Sequence, residues 1–204
     1  MKTKILLTSM TALLATFAGA NALEYNPFVG ATMGIQGALY SDDAKDMERA
    51  IHIDLPTDFF AFGLETGVRA GSHERIYNGG ITLGATKSTY SKVEHKYSDK
   101  RVASTDLLNI SATYDNYIRV SGDKARRIDL VLGAGAGVMA YHTDPINADD
   151  ETVWSFAPEF KIGMDFELTK HISLSANFRT FVPMRDHYAM EGSYIAGGAF
   201  KYIF

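Results

Sequence analysis

The sequence predicts an all-β fold, and more narrowly an eight-stranded antiparallel up-and-down barrel that crosses a membrane. Three observations carry this prediction. Apolar and polar residues alternate with a period of two over long stretches. Downstream of the N-terminal region, no apolar run reaches the roughly 18–20 residues of a membrane-spanning helix. Glycine and aromatic residues are also frequent, with 18 Gly and 12% aromatics among the 204 residues, as is typical of strand-rich proteins.

The first 22 residues are predicted to be a secretory signal peptide. Two lysines precede an apolar stretch, and Ala20 and Ala22 form the small-residue pattern of a cleavage site. Cleavage there gives a single mature domain, 23–204, that loses two of the 20 basic residues and none of the 24 acidic ones. The resulting acidic balance argues against nucleic acid as a partner. The absence of cysteine excludes a disulfide scaffold and a thiolate metal site.

Eight alternating segments are predicted as strands, and the sixth shows the pattern most clearly. Trp154, Phe156 and Phe160 share one face of that strand, while Glu159 and Lys161 share the other. The segments are much longer than the five or six residues of an ordinary strand, and a tilted crossing of the hydrocarbon layer needs about 9–11 residues. The predicted strands are 28–39, 59–70, 76–86, 105–118, 128–142, 154–168, 172–182 and 193–204.

The connections between these strands are predicted to alternate in length. Segments 71–75 and 169–171 are short and 119–127 is intermediate, whereas the other four connections are long. Short turns at one end and long polar loops at the other are typical of outer-membrane barrels. The long loops are 41–58, 87–104, 143–152 and 183–191. The second of them has five bases and two acids, so we expect attraction to the phosphates of lipopolysaccharide.

The apolar faces are predicted to point outward, toward lipid. A soluble eight-stranded barrel would have to enclose them, and its interior has room for only modest side chains. The polar faces then line the lumen, where buried charges need partners. We expect a salt-bridge network there, with Glu65 or Asp165 as the partner of Lys161. Its predicted members are Glu65, Arg69, Asp129, Glu159, Lys161, Asp165, Glu167, Arg179 and Lys201.

The signal peptide, the eight alternating strands and the aromatic C-terminus together resemble the OmpA/OmpX-type outer-membrane β-barrel family, which includes the opacity and surface-antigen barrels. The resemblance covers the whole mature chain. It implies that Phe200, Tyr202 and Phe204 form the signal read by the barrel assembly machinery. One departure is Ala199, where the family usually has glycine.

The function expected from the sequence is that of an integral protein of a Gram-negative outer membrane with a structural or surface-interaction role. Its expected partners are outer-membrane lipid and lipopolysaccharide, the assembly machinery, and an extracellular ligand bound through the loops. We expect a monomer with no catalytic site, cofactor or metal. A small porin is the main alternative, although the five acids and four bases of the predicted lumen nearly balance. A lipid-modifying enzyme is a third alternative, but His171 and Ser173 lack the adjacent Asn of the lipid A deacylases.

Overall fold

The computed structural model describes residues 24–52, 55, 57–71, 75–94, 101–122, 126–145, 149–184 and 190–204. The predicted signal peptide, with its cleavage site at Ala20 and Ala22, lies outside these residues. Seven residues within them are described by their backbone alone, namely Met47, Ile51, Ser91, Lys92, Glu94, Arg101 and Val102.

The described chain forms one closed sheet of eight antiparallel strands in sequence order, so the predicted fold class is confirmed. Each strand pairs with its neighbours along the chain, and β1 also pairs with β8 to close the barrel. The strands are β1 (Tyr25–Tyr40), β2 (Asp58–Ala70), β3 (Tyr77–Glu94), β4 (Arg101–Gly122), β5 (Arg127–Pro145), β6 (Glu151–Thr169), β7 (Ile172–Phe181) and β8 (Met190–Ile203).

The register around the barrel is staggered. A path through paired residues starts at Phe28 on β1, passes from Gly67 through each following strand to Ser193 on β8, and returns to β1 at Ala38. The path therefore climbs ten residues in one circuit. A closed eight-stranded sheet with this stagger has tilted strands and an interior just wide enough to be filled by side chains.

The barrel wall has an apolar outer face and a largely polar inner face, as the alternation predicted. Met33, Phe60 and Phe156 point outward and are 67%, 65% and 53% exposed, whereas the inward Gln36 is fully buried. Such an inside-out distribution places the apolar side chains against lipid. The choice of a membrane barrel over a soluble one is thereby confirmed. None of the helices in the described ranges is long and apolar enough to cross a bilayer.

A helix that the sequence did not predict lies in the first long loop. Helix α1 (Asp42–Ile51) begins after Ser41, whose side chain accepts a hydrogen bond from the Ala44 backbone, and ends at His52 in the left-handed conformation. Asp42 and Asp43 in its first turn favour the helix through its dipole. We call the end of the barrel that carries α1 the loop end, and the opposite end, where β6 and β7 join, the turn end.

Most strands extend farther at the loop end than the sequence predicted, and the largest extensions are those of β3 and β4. Strand β3 continues to Glu94 and β4 begins at Arg101, so most of the predicted second loop is strand. Pairing of β2 with β3 ends at Thr89, and pairing of β6 with β7 ends at Glu159. Two more hydrogen bonds, from Val182 to Pro158 and from Met184 to Phe156, continue the contact with β6. Beyond Thr89 and Phe156, strands β3, β4, β5 and β6 pair only among themselves within the described residues. We call this four-stranded extension the protruding sheet.

Candidate functional site in the lumen and at the loop end

The turn half of the lumen is filled by an ion-pair cluster centred on Asp129. The Asp129 carboxylate accepts from Arg127 Nε at 2.7 Å and from Arg69 Nη2 at 2.6 Å. Arg69 also reaches Glu167, with 2.8 Å between Nη1 and Oε1, and its guanidinium lies 4.7 Å from the centre of the Tyr117 ring. Asp129 and Arg127 are both fully buried, so each charge depends on its partner rather than on water.

A second cluster joins the opposite strands of the barrel. Arg179 Nη2 lies 2.5 Å from Glu65 Oε2, and Lys201 Nζ lies 3.6 Å from Glu65 Oε1. Lys201 also donates to Asp165 Oδ1 at 3.2 Å, and Ser173 donates to the same oxygen at 2.7 Å. Glu159 is nearby, with its Oε1 at 3.9 Å from Arg179 Nε. These contacts connect β2, β6, β7 and β8 across the lumen.

The partner of Lys161 differs from the expectation. Its ammonium group donates to Asp115 on β4, rather than pairing directly with Glu65 or Asp165. Thr82 donates to the same carboxylate oxygen at 2.7 Å. In the register, Asp115, Gly133 and Lys161 are successive partners on β4, β5 and β6. The pair therefore bridges over a residue with no side chain.

The structure places all nine predicted lumen residues on the inner face and brings them into ion pairs. Eight are buried and Glu167 is half-buried. Asp115 and Arg127 were not among the predicted lumen residues, and with them the clusters contain six acids and five bases. Asp115 stands at an inward position of the predicted fourth strand, so alternation alone could have identified it. Arg127 falls just before the predicted fifth strand, and the longer β5 brings it into the wall.

Nearer the loop end, neutral polar groups meet at Gln36. Its amide nitrogen donates to Ser193 Oγ at 2.7 Å, and its amide oxygen accepts from Asn109 Nδ2 at 3.2 Å and from Ser88. Gln36 and Ser88 are fully buried. This layer connects β1, β3, β4 and β8 without any net charge.

Above the Gln36 layer, the lumen is apolar, which the sequence reasoning did not predict. Phe59, Leu107 and Met139 point inward and are at most 1% exposed. Phe59 meets Tyr90 edge-to-face at 5.8 Å, and Ala44 of α1 packs against the cluster. We call this group the apolar cap. Its buried members are Ala38, Tyr40, Phe59, Ala61, Leu107, Met139, Ala157, Phe181, Met190 and Ile195.

Pro158 of β6 lies at the base of the protruding sheet, where the last described hydrogen bonds between β6 and the residues after β7 are made. Val182 donates its N–H to the Pro158 carbonyl at 3.1 Å, and Met184 donates to the Phe156 carbonyl at 2.9 Å. A residue in an antiparallel ladder presents its N–H and C=O to the same side, so the missing N–H of Pro158 would face β7. By the same alternation, Thr152 presents its N–H group to the edge of β6.

The last aromatic residues of β8 and Phe204 lie at the turn end, where β8 pairs with β1 to close the barrel. Phe204 donates its backbone N–H to the Pro27 carbonyl on β1 at 2.9 Å. Tyr202 and Phe204 meet edge-to-face at 5.3 Å, and His171 stacks on Tyr202 at 5.9 Å. Phe200, the first aromatic residue of the predicted assembly signal, faces outward on the same strand and is half exposed.

Comparison with known proteins agrees with this architecture. No family model and no curated protein matches the sequence. Among solved structures, the chain is similar to Neisserial surface protein A, with a TM-score of 0.57, 11% identity, and coverage of 90% of this chain and 100% of that one. It is also similar to a major outer membrane protein from Thermus thermophilus, with a TM-score of 0.51, 13% identity, and coverage of 89% and 100%.

The fold, the apolar exterior and the ion-paired interior define an integral β-barrel membrane protein. More specifically, the chain has the eight-stranded barrel fold of bacterial outer-membrane proteins. The resemblance and the outer-membrane location expected from the sequence are thus confirmed by the fold. Among the residues that the structure describes, there is no group of three or more His, Asp or Glu that could hold a metal ion.

Proposed function

We propose that this protein is a surface-interaction barrel that binds an extended segment of an extracellular partner along the protruding sheet. The observation that carries the proposal is that pairing with the neighbouring described strands stops along two edges of that sheet. Within the described residues, β6 has no strand partner on the β7 side beyond Met184, and β3 has none on the β2 side beyond Thr89. Strand edges offer rows of N–H and C=O groups that can pair with another chain.

The inner face of the protruding sheet is already covered by the chain itself. Tyr90, Tyr141 and Val153 pack against the apolar cap, beside Ala44 and Leu55 from the first long loop. The sheet is therefore packed against from the lumen side, which leaves its edges for a partner. A rigid edge lowers the entropic cost of binding an extended peptide.

A peptide-binding experiment tests the edge. The protein in nanodiscs is titrated with labelled ten-residue peptides of alternating valine and threonine, and binding is followed by fluorescence anisotropy. We expect Thr152→Pro to weaken binding, because it removes an edge N–H while the backbone pairing of β6 with β5 is kept. Thr152→Val loses only the side-chain hydrogen bond to His142 on β5 and should bind like the wild type. Asp150→Pro, just before the strand, is the matched control. Backbone N-methylated peptides should not bind, and equal binding to empty nanodiscs would overturn the proposal.

We further propose that the lumen is plugged rather than conducting. The ion-pair clusters, the Gln36 layer and the apolar cap follow one another along the barrel axis, and the charges of the lumen nearly cancel. A selective pore favours rings of one sign. Planar-bilayer recordings of the purified protein should show no stable conductance at the level of a large porin. Such conductance would favour the small-porin alternative.

The remaining parts of the proposal concern its molecular partners. The seam contacts of Phe204 and Tyr202 support recognition of the C-terminus by the barrel assembly machinery, and the outward apolar wall supports contact with outer-membrane lipid and lipopolysaccharide. We propose a monomer without enzymatic activity. The placement of His171 and Ser173 supports the absence of enzymatic activity. His171 Nδ1 hydrogen-bonds the Ile203 carbonyl at 2.9 Å at the turn end, whereas Ser173 donates to Asp165 in the lumen, so the two side chains are held by different partners.

A further inference from the structure

A groove of about 700 Å³ runs obliquely across the outer wall of β3, β4 and β5. Its floor is formed by small outward side chains, Ala85, Ala112 and Ala136, and its borders include Leu64 and Phe156. The groove is almost entirely apolar, and it lies in the part of the wall that faces lipid. Bulkier side chains occupy the corresponding outer positions on other strands, among them Met33, Phe160 and Phe178.

A basic residue stands at the loop-end border of this groove. Lys87 follows Ala85 on the same face of β3, two residues farther along, or about 7 Å at the usual rise per residue. Its side chain is half exposed, and its Nζ lies 3.0 Å from Asp106 Oδ2 on β4. An outward lysine costs several kcal/mol at the bilayer midplane but little near the interface. The groove therefore begins near the membrane surface and descends into the hydrocarbon.

Resting on the lipopolysaccharide contact in the proposed function, we propose that this groove is a binding site for a lipid A-type glycolipid, with an acyl chain along Ala85, Ala112 and Ala136 and a phosphate at Lys87. An ammonium group has three N–H donors. The ion pair with Asp106 uses one of them, so a phosphate at Lys87 binds the remaining donors in competition with the Asp106 carboxylate. The site lies toward the loop end, which carries the helix and the long hairpins, so the lipid comes from the external leaflet.

The single tryptophan of the chain offers a direct readout. Trp154 lies on the same outer face of β6 as Phe156, two residues away, and is 48% exposed. Brominated acyl chains quench its fluorescence on contact. The protein is reconstituted in vesicles of brominated phosphatidylcholine, and unlabelled lipid A is added in steps. A lipid A molecule that occupies the groove excludes brominated chains and restores Trp154 emission.

Three variants distinguish the chain site from the phosphate site. Ala136→Phe fills the groove and should raise the lipid A fraction needed for half-restoration of Trp154 emission about tenfold. Lys87→Gln should raise this fraction by a similar factor, because it loses a charge-assisted hydrogen bond to the phosphate. Ala112→Leu repeats the groove test with a smaller side chain, in case Ala136→Phe does not fold. Ala176→Phe on the outer face of β7 and Lys170→Gln in the β6–β7 turn are the matched controls, and both should behave as the wild type.

Each other outcome overturns the proposal. Identical half-restoration points in the wild type and both groove variants would show that no chain occupies the groove. An unaffected Lys87→Gln variant would remove the phosphate assignment. Equal restoration by phosphatidylglycerol would show a response to any anionic lipid, and the site would not be a glycolipid site.

Discussion

Lys161 on β6 pairs with Asp115 on β4 directly across Gly133 of β5. A Cβ at Gly133 would collide with Asp115 Oδ1 and lie 3.1 Å from Lys161 Cε. The glycine is therefore the residue that allows the two charged side chains to meet over the intervening strand. Both partners are nearly or fully buried, so the pair stabilises the barrel only while both charges are present.

We expect Lys161→Met to destabilise the barrel by about 3–5 kcal/mol, because it leaves the Asp115 carboxylate buried without its cation. The free energy of unfolding, measured by urea titration in lipid vesicles, checks this value. Lys170→Met, in the exposed β6–β7 turn, is the control and should change little. Combining Lys161→Met with Asp115→Asn should recover part of the loss. Wild-type stability of the single variant would contradict the assigned pair.

The apolar cap is expected to stabilise the barrel in the way that a packed hydrophobic core stabilises a soluble protein. Leu107 is fully buried in the cap, whereas Leu108, the next residue, faces the lipid side of the same strand. Leu107→Ala should cost about 2–5 kcal/mol because it leaves a cavity. Leu108→Ala should cost less, since lipid can fill the space. The two urea titrations are compared directly, and an equal loss would show that the cap is not tightly packed.

Deletion of Phe204 is expected to slow insertion of the barrel. It removes the hydrogen bond to Pro27 at the β1–β8 seam and the edge-to-face contact with Tyr202. Pulse-chase labelling with a heat-modifiability gel follows the conversion of unfolded to folded protein. Phe204→Tyr keeps both the backbone and an aromatic ring, so it should insert at close to the wild-type rate. Insertion of the deletion variant at the wild-type rate would show that Phe204 is not part of a signal read by the assembly machinery.

Processing at the predicted signal-peptide site is tested by the N-terminus of the mature protein. Edman sequencing of protein extracted from membranes should begin at Leu23. Ala22→Leu should block cleavage, because the site requires a small residue at that position. Ala18→Leu lies outside the small-residue pair and serves as the control. A mature protein that begins with Met1 would refute the assignment.

The strands and the identity of most lumen charges could be predicted because a β-strand has a period of two. Once Phe160 and Ile162 face lipid, Glu159 and Lys161 must face inward. The choice of partner could not be predicted in this way, since it depends on the register between strands. A shift of one pairing position would move Asp115 away from Lys161, and alternation within one strand carries no information about its neighbour.

The apolar cap and the helix were missed for a different reason. Phe59, Leu107 and Met139 occupy inward positions, but the predicted lumen contents were drawn from charged residues alone, so these apolar side chains were left out. Helix α1 has a usable signal in Ser41, Asp42 and Asp43, a residue able to cap the helix followed by acids in its first turn. The helix also packs Ala44 on the cap, a tertiary contact that no local pattern reveals.

The ten-residue stagger of the strand register determines how the barrel could be widened. Strand number and stagger together determine the radius, so the radius is a property of the backbone and not of any side chain. Replacing lumen side chains by smaller ones, one at a time, would leave the radius unchanged and would open at most a narrow water-filled path. A passage for a sugar or a peptide would require an added hairpin, which would change the circumference itself.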